Sequence, residues 1–517
     1  MLSVWSSIGV FTFWGVSAGA LACLILSLSI FYELYWSPLS IYPGPKLWVL
    51  SRIPLQISVL RGRNHLDALA LHARYGTVVR VGPNELSYIT GQAFRDIYGN
   101  RPGGKFRRDP THYLPPPNGI PHIVGACDPE LHSRYRRMLA PAFSERALND
   151  QEYLIQGYVD ALIGKLRGEI GCVDPPRIDI RDWFNCTTFD IFGDLMFGES
   201  FDCLKESRLH PWIELLFNSI KTLAIAGAAM QFPVLQALLE AVIPNSAAEK
   251  AHEHFRLAVN KVNQRVETHI LRSDFMSAIL KSGLSDTKDN LHEEEQKMSR
   301  SELHSNAYIL IIAGSETTAT ALSGCIYYLC TNPEKMSLLV KEIRSTFHEE
   351  FGITFRSSAL LEYLVAVIEE SLRLYPPFAT TLSRITPKGG AMVDGQFVPE
   401  GSALTTMRHT TPPSNFALPD EFHPERWLGK DARFNEDRKD SFNPFSYGPQ
   451  GCIGKKLAYC EIRLILCKLL WNFDISLCTE SKNWLNQEVY FLWDKPPLMV
   501  TLLDRFEMKK GSHDGLR

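Results

Sequence analysis

FSYGPQGCIG, residues 445–454, places one cysteine in a glycine-rich loop just before an apolar helical pattern. Such loops often hold phosphates, because backbone N–H groups and the positive end of a helix attract anions. A phosphate loop of the G-x-x-x-x-G-K-S/T type would need a glycine at 449 and a hydroxyl at 456, where this chain has Pro449 and Lys456. The loop therefore predicts a cysteine site and not a phosphate site.

Cys452 is the residue of this loop that carries chemistry. The dipole of the helix that follows favours a thiolate, which is the form of cysteine that binds metals. Gly448, Gly451 and Gly454 leave room for a flat cofactor against the backbone, and Phe445 opens the loop. A buried structural cysteine is the alternative, but the surrounding pattern favours a ligand.

The rest of the composition is that of an ordinary globular protein. The chain has 517 residues, of which 45% are hydrophobic and 21% are charged, so it can bury a large core. A net charge of −3 gives no basic footprint for nucleic acid, and we expect none to bind. None of the 11 cysteines forms a C-x-x-C pair, which argues against a zinc ribbon and a dithiol redox site.

The N-terminus departs from this composition. Residues 1–32 contain no Asp, Glu, Lys or Arg, and an apolar run of this length can cross hydrocarbon, which takes about 20 apolar residues. A signal peptide would have a basic start, a shorter apolar core of about 7–15 residues and a clear cleavage site, and this sequence shows none of them. We therefore expect an uncleaved membrane anchor at 1–35.

The residues after the anchor predict its orientation. Pro38, Pro43 and Pro45 indicate a stiff, proline-rich linker at 36–46, followed by one large domain at 47–517. Basic residues follow the span, so the positive-inside rule places this domain on the cytosolic side. These residues are Lys46, Arg52, Arg61 and Arg63. We expect a single-pass protein of the endoplasmic reticulum membrane.

Hydrophobic periodicity predicts a mainly α fold with small β-sheets. Two hairpins are expected, one at 77–90 around Gly82-Pro83-Asn84 and one at 391–398 around the DGQF turn. The clearest helices carry apolar residues at three-to-four spacing and span 302–330, 360–375 and 455–473.

The first of these helices is interrupted by a polar segment, AGSETT, at 313–318. Gly314 weakens a helix by about 1 kcal/mol against alanine, and a buried acid or hydroxyl is unfavourable unless it is hydrogen-bonded. We interpret this as a functional site, in which the helix opens near Gly314, Thr317 faces a pocket and Glu316 lies nearby to relay protons. The alternative is a threonine that bonds back to its own helix.

ESLR at 370–373 places Glu370 and Arg373 on one face of a helix. As an exposed ion pair they would contribute little to stability. If they are buried they need a third partner, and Arg426 in PERW, residues 424–427, is the candidate. The spacing alone leaves both possibilities open.

These motifs resemble those of the cytochrome P450 superfamily, and they occur in family order over essentially all of the chain after the anchor. FSYGPQGCIG resembles the haem-binding loop, AGSETT the oxygen-activating helix, and ESLR with PERW the structural triad. The resemblance implies the cytochrome P450 fold, with haem b between two helices and Cys452 as the axial ligand of the iron. Phe445, Gly448 and Gly454 would then contact the cofactor, and 47–517 would be the haem-thiolate catalytic domain.

The resemblance also implies roles for single residues. Thr317 and Glu316 match the alcohol and the acid that help to protonate bound dioxygen. His132 and Arg136 match positions that contact the haem propionates, although the family commonly has tryptophan at the place of His132. Arg384 resembles a second propionate partner.

Gln450 is a larger departure, because the family usually has a propionate-binding arginine or histidine there. Glutamine can donate a hydrogen bond but carries no charge, so one propionate should be less well compensated. We expect a shift in haem retention or redox potential, and not the loss of haem.

Electrons should come from a separate protein, because the sequence contains no flavin or nicotinamide module. Membrane-bound members of the family take them from an NADPH-dependent diflavin cytochrome P450 reductase. Lys455 and Lys456, beside the loop, are candidate docking charges, with solvated lysines as the alternative. The other partners that the resemblance implies are dioxygen, the membrane and a lipophilic small molecule.

The substrate is predicted only by analogy. The apolar stretch 223–243 could enter the membrane at the channel mouth, while 378–381 and 490–493 would line the pocket. Motifs such as PGPKLW resemble filamentous-fungal enzymes of secondary metabolism, which implies hydroxylation or epoxidation of a terpenoid or polyketide.

Two rival functions remain. One is an oxygen-independent haem-thiolate isomerase or dehydratase, against which Glu316 and Thr317 argue. The other is a non-catalytic, membrane-tethered haem protein, which Gln450 favours.

Overall fold

The computed structural model describes residues 2–100, 105–113, 116–170, 177–232, 245–268, 272–281, 283–285, 297–379, 382–406 and 412–506. Within these ranges the fold is mainly helical with small β-sheets, as the sequence predicts. Parts of two expected substrate segments, 233–243 and 380–381, lie outside the described residues.

The α-helices follow one another along most of the chain. In chain order they are α1 Leu2–Phe31, α2 Lys46–Leu50, α3 Ile53–Leu60, α4 Asn64–Tyr75, α5 Gly91–Tyr98, α6 Pro129–Leu139, α7 Glu145–Ile170, α8 Ile180–Phe197, α9 Cys203–Glu206, α10 Pro211–Met230, α11 Asn245–Glu267, α12 Phe275–Leu280, α13 Arg300–Thr331, α14 Pro333–Thr346, α15 Phe355–Ser358, α16 Glu362–Leu374, α17 Glu425–Leu428 and α18 Lys455–Asn472. The three helices expected at 302–330, 360–375 and 455–473 are confirmed as α13, α16 and α18.

The strands are short and lie between the helices. They are β1 Val78–Gly82, β2 Glu85–Tyr88, β3 Arg107–Arg108, β4 Arg177–Asp179, β5 Leu284–Ser285, β6 Met298–Ser299, β7 Arg384–Ile385, β8 Ala391–Val393, β9 Gln396–Val398, β10 Ala403–Thr406, β11 Phe473–Leu477 and β12 Met499–Asp504. Both predicted hairpins are confirmed, as the antiparallel pairs β1–β2 and β8–β9.

Two sheets bring distant parts of the chain together. The larger has the order β1-β2-β10-β7-β3, and its antiparallel β3–β7 pair sets Arg108 directly opposite Arg384. The second, β11-β12-β4, holds the C-terminal strands against the start of α8. The pairing of β3 with β7 therefore places Arg108 and Arg384, which come from two distant segments, opposite each other at one edge of the sheet.

Helix α13 forms the centre of the core, where it packs against α8, α16 and α18. It is apolar and long enough to cross a membrane, but 72% of its most apolar window is buried inside the protein, as in a core helix. By contrast, the other candidate span, Val16–Trp36 near the N-terminus, has no buried residue in its most apolar window. An exposed apolar helix of this length fits a membrane anchor.

The end of the anchor is tied to the first strand through Arg80, which is buried on β1. The Arg80 guanidinium donates to the Glu33 carboxylate at 2.5 Å, to the Glu33 carbonyl at 2.8 Å and to Ser37 Oγ at 3.1 Å. Its backbone N–H donates to the Pro43 carbonyl at 2.7 Å. The proline-rich segment therefore packs on the domain that follows it.

Candidate active site

The loop at 445–454 is fixed by a close contact with α5. Gly448 has a φ of +71°, and a Cβ at this position would lie 2.1 Å from the carbonyl oxygen of Tyr98. Any larger residue would be strained both by its backbone conformation and by this contact. The glycine at 448 is therefore required by the packing of the loop itself.

Cys452 lies at the end of this loop, where its backbone N–H donates to the Phe445 carbonyl at 2.8 Å. Helix α18 begins three residues later at Lys455, with Gly454 as its N-cap and no side chain capping it. A Cβ at Gly454 would meet only the Phe143 ring, at 3.9 Å, so this side of the loop is open. The sulfur thus lies near the positive end of a helix, beside backbone that a flat cofactor can approach.

Arg108 and Arg384 form a pair of buried cations near this loop. Arg108 donates to the carbonyls of Ile123 and Ala126 at 2.6 and 3.0 Å, and Arg384 donates to the Tyr113 hydroxyl at 3.0 Å. Neither guanidinium forms an ion pair with any residue that the structure describes. Burial lowers the pKa of Arg108 to about 10, and the charge of Arg384 adds to this effect. Like charges placed opposite each other are unfavourable, so the pair fits an anionic ligand.

Arg136 and His132 extend this cationic region from α6. Arg136 donates to the Gly451 carbonyl at 2.5 Å, which joins α6 to the cysteine loop. Burial, together with the charges of Arg108, Arg136 and Arg384, lowers the pKa of His132 to about 3. The imidazole is therefore neutral, and it can donate one hydrogen bond.

Gln450 does not supply a charge here, as the sequence indicates. Its side-chain oxygen is buried and has no hydrogen-bond partner among the residues that the structure describes. An amide in such a place is satisfied only by a ligand, by water or by turning its NH₂ group inward. The cations of this site come from Arg108, Arg136 and Arg384 instead.

Taken together, this donor set fits a haem. Cys452 lies in an open glycine loop, to which Arg136 donates at Gly451, and Arg384 lies over the ring of Tyr98, whose carbonyl packs on Gly448. Among the described residues, no carboxylate forms an ion pair with Arg108 or Arg384. Haem presents an iron that thiolate binds, and two carboxylates that buried cations require. Arg108 was missed by sequence reasoning, because only the pairing of β3 with β7 shows that it faces Arg384.

On α13, the expected opening near Gly314 is wrong, because the helix runs without a break from Arg300 to Thr331. A Cβ at Gly314 would lie 1.9 Å from the Phe192 ring, so the glycine lets α8 pack closely against α13. Thr317 is half-buried, and its hydroxyl donates to the Ala313 carbonyl at 2.6 Å. The threonine therefore makes the bond to its own helix that the sequence left as the alternative.

Glu316 points into the interior, where it forms an ion pair with the buried amino group of Lys495. Thr320 on the next turn donates to the same carboxylate oxygen, Glu316 Oε1, at 3.1 Å. Sequence reasoning missed Lys495, which lies 179 residues further along the chain and belongs to no recognised motif.

Glu370, Arg373 and Arg426 are brought together as a buried triad. Arg373 donates to both Glu370 oxygens at 2.8 and 2.9 Å, and Arg426 donates to Glu370 Oε1 at 2.9 Å. Burial raises the pKa of Glu370, but the two guanidiniums outweigh this effect and hold the pKa below its usual range. Arg426 also pairs with Asp437 at 2.5 Å, so the triad fixes the segment that leads into the cysteine loop.

Comparison with known proteins agrees with this geometry. The family model described as Cytochrome P450 matches residues 42–502. Cytochrome P450 monooxygenase efuB of Hormonema carpetanum is 42% identical over 97% of this chain and 98% of its own. Cytochrome P450 monooxygenase astJ of Aspergillus oryzae is 42% identical over 92% of this chain and 94% of its own.

A further relative is named for the reaction that it performs. Averantin hydroxylase of Dothistroma septosporum is 40% identical over 96% of this chain and 92% of its own. The relatives are fungal enzymes of secondary metabolism, as the sequence motifs predict. This chain therefore belongs to the cytochrome P450 family and is a monooxygenase of that family.

Proposed function

We propose that this monooxygenase is anchored in a membrane and hydroxylates or epoxidises a lipophilic secondary metabolite, a terpenoid or polyketide. The observation that carries the proposal is the cysteine loop combined with Glu316 and Thr317 on α13, a combination suited to oxygen chemistry. An oxygen-independent isomerase would have no need of an acid and an alcohol there. The hydroxylase among the relatives supports the reaction type.

The cofactor is haem b, held by residues from four parts of the chain. Cys452 would hold the iron through its thiolate, and Phe445, Gly448 and Gly454 would form the loop against which the haem packs. Thiolate-ligated haem supplies the electron density that favours O–O cleavage. The anionic propionates would be held by the guanidiniums of Arg108, Arg136 and Arg384 and by a hydrogen bond from the neutral imidazole of His132.

Thr317 and Glu316 handle protons. The Thr317 hydroxyl donates its own proton to Ala313, so its oxygen lone pairs remain able to accept a hydrogen bond from a donor. Glu316 lies next to it in sequence and can take up and release a proton.

An NADPH-dependent diflavin reductase supplies the electrons at the cysteine-loop side. Lys455 and Lys456 are exposed at the start of α18, and Lys456 forms an exposed ion pair with Glu145 at 3.2 Å. Exposed ion pairs are weak, so both lysines are available to steer an acidic partner.

Lipid contact is supported by apolar side chains near the anchor. Leu47 on α2 is 73% exposed, and Ile53 on α3 and Ile225 on α10 are more than half exposed. Helix α2 packs against the turn that ends the anchor, and α10 packs against α3, so these residues belong to adjoining elements. A single-pass protein on the cytosolic face of the endoplasmic reticulum would bury this surface in lipid.

The test is turnover in microsomes that contain the full chain and a fungal NADPH-dependent reductase. Terpenoids and polyketides are supplied under heavy-isotope dioxygen, and we expect a product with one labelled oxygen atom. Product formation without oxygen or reductase would contradict the proposal. The proposal is also contradicted if none of the terpenoids and polyketides supplied shifts the iron spin state or reacts.

A further inference from the structure

The start of α13 is joined to α6 through the side chain of Glu302. Arg134 and Tyr135, both on α6, reach the same carboxylate oxygen, Glu302 Oε1, the first as an ion pair and the second by a hydrogen bond of 3.1 Å. Only 15% of the Glu302 side chain and 21% of the Arg134 side chain are exposed. This ion pair is therefore screened less by water and salt than an exposed one is.

The other oxygen of the same carboxylate, Glu302 Oε2, belongs to the N-terminal cap of α13. It accepts the backbone N–H of Ser299 at 2.9 Å, while the Ser299 hydroxyl accepts the N–H of Glu302 at 3.3 Å. This reciprocal capping box holds the Glu302 side chain against its own helix. The carboxylate therefore binds α6 from a fixed point on α13.

One turn later, Asn306 connects α13 to a second segment. Its side-chain NH₂ donates to the Glu302 carbonyl at 2.9 Å, and its side-chain oxygen accepts the Ile123 N–H at 2.8 Å. Asn306 is fully buried, and the carbonyl of Ile123 accepts the bond from Arg108 at 2.6 Å. The same turn of α13 is thus connected to Arg108.

Both connections lead to the group of side chains that fits an anion. His132 and Arg136 lie one turn apart on α6, and Arg136 donates to the Gly451 carbonyl of the cysteine loop. Arg108 is reached through Ile123. Three of the side chains proposed to hold the propionates are therefore connected to residues 302–306 of α13.

On the basis of the proposed function, we propose that Glu302 and Asn306 are positioning residues for the haem. Glu302 acts through α6, and Asn306 acts through the segment that contains Ile123. A cation binds an anion more tightly when the fold already holds it in place, because ordering a side chain on binding costs conformational entropy. Loss of either connection should therefore weaken haem binding although every side chain that binds the haem is still present. Because Thr317 lies on the same helix, α13 then fixes both this alcohol and the haem beside it.

The experiment compares the full chain with Glu302→Gln and Asn306→Ala, each loaded with haem. Glutamine keeps the size of the side chain but removes the ion pair with Arg134, and alanine leaves the Ile123 N–H without its acceptor. Interactions between contacting residues are large enough that transfer of haem to apomyoglobin should be about twofold to tenfold faster in each variant.

Ser299→Ala is the matched control, because it removes the hydroxyl that caps α13 and leaves Arg134 and Tyr135 on Glu302. Although the helix start should be less stable, haem should be lost at the wild-type rate. Hydrogen exchange in the haem-free protein separates the two effects. Glu302→Gln should speed the exchange of the α6 amides, whereas Ser299→Ala should affect only the first turn of α13.

Arg134→Gln breaks the same ion pair from the side of α6. If Glu302 acts through this ion pair, Arg134→Gln should also speed haem loss, and the double variant Glu302→Gln/Arg134→Gln should lose haem little faster than either single variant. This comparison also serves as the test if Glu302→Gln does not fold. If neither single variant folds, Glu302 is a structural residue and the proposal fails.

Haem loss at the wild-type rate in Glu302→Gln and Arg134→Gln would overturn the role of Glu302, and the same result in Asn306→Ala would overturn that of Asn306. Equally fast haem loss in Ser299→Ala would show that these residues only stabilise the start of α13. A wild type without a thiolate-haem spectrum would contradict the proposed function. A normal wild-type spectrum with unchanged haem loss in the variants would contradict only the positioning role.

Discussion

Two groups of buried arginines in this protein differ in what neutralises them. Arg373 and Arg426 share the carboxylate of Glu370, and Arg426 also pairs with Asp437. Arg108 and Arg384 face each other across two strands without a carboxylate partner among the described residues. Carboxylates of this chain neutralise the charges of the first group, and no carboxylate among the described residues neutralises those of the second.

The difference separates charges that hold the fold from charges that bind a ligand. Buried ion pairs hold their surroundings in one arrangement, and removal of one partner leaves an unpaired charge inside. Buried cations without a counter-ion are unfavourable on their own and become favourable only with an anion. The triad therefore stabilises the fold, whereas the Arg108–Arg384 pair is suited to an anionic ligand, which we propose to be the haem propionates.

The largest expected effect is on the complete group. Glu370→Gln removes the carboxylate that neutralises buried Arg373 and one of the two that neutralise Arg426, and should lower the free energy of unfolding by about 3–5 kcal/mol. That is much of the total stability of a domain, about 5–15 kcal/mol, so thermal unfolding of the purified protein should show it clearly. Glu362→Gln on the same helix, α16, is the control, because its ion pair with Lys430 is exposed and should contribute less than about 1 kcal/mol. If Glu370→Gln and Glu362→Gln lower the free energy of unfolding equally, the buried triad stabilises the fold no more than an exposed ion pair does.

Arg384→Leu should act on the haem-bound state alone. The haem-free protein should be as stable as wild type or more stable, because one of two opposed cations is gone. A hydrogen bond to a charged group contributes about 1.5–3 kcal/mol, so haem should be lost roughly 10-fold to 100-fold faster. Transfer of haem to apomyoglobin measures this rate, with the exposed Arg137→Leu as the control. Destabilisation of the haem-free protein by Arg384→Leu would show that Arg384 is a structural residue.

His132 should make the haem-free protein sensitive to acid. Its pKa is lowered to about 3 in the fold from 6.5 in the unfolded chain, so the unfolded state binds more protons between these values. Stability is therefore full above about pH 6.5 and is lost as the pH falls towards 3, by up to about 1.4 kcal/mol per pH unit. His132→Gln should reduce this slope in acid unfolding curves.

Haem binding should weaken the same pH dependence, because propionate anions favour a protonated imidazole. An identical slope in the haem-free and haem-loaded protein would mean that His132 does not face the propionates.

The smallest expected effect is that of Gln450→Arg. The substitution replaces a neutral hydrogen bond with a charge-assisted one. Haem binding should become stronger by about 1 kcal/mol, so haem should be lost about fivefold more slowly. The same transfer assay measures it, and Gln450→Leu is the matched loss of the donor. If Gln450→Arg retains haem no better than wild type, the existing cations already satisfy both carboxylates.

Sequence reasoning was most effective where chemistry is local. The period of apolar residues predicts α13, α16 and α18, and the turn residues predict both hairpins. The cysteine loop is recognisable because its glycines, its cysteine and the helix after it are contiguous.

Contacts between distant segments could not be predicted in the same way. Arg108 depends on a strand pairing with Arg384, and Lys495 depends on the return of the C-terminal segment to α13. Gly314 was misinterpreted because the sequence shows the loss of helix propensity but not the Phe192 ring that the glycine accommodates.

The reduced carbon monoxide difference spectrum of the membrane-expressed protein tests most directly whether Cys452 binds the haem iron. Cys452→Ser is compared with Cys460→Ser, since Cys460 lies on α18 just beyond the loop. If Cys452 binds the haem iron, wild type and Cys460→Ser show the red-shifted Soret band of thiolate-ligated haem, and Cys452→Ser lacks it. Folded wild-type protein without that band, or a Cys452→Ser variant that keeps it, would contradict the assignment of the haem site.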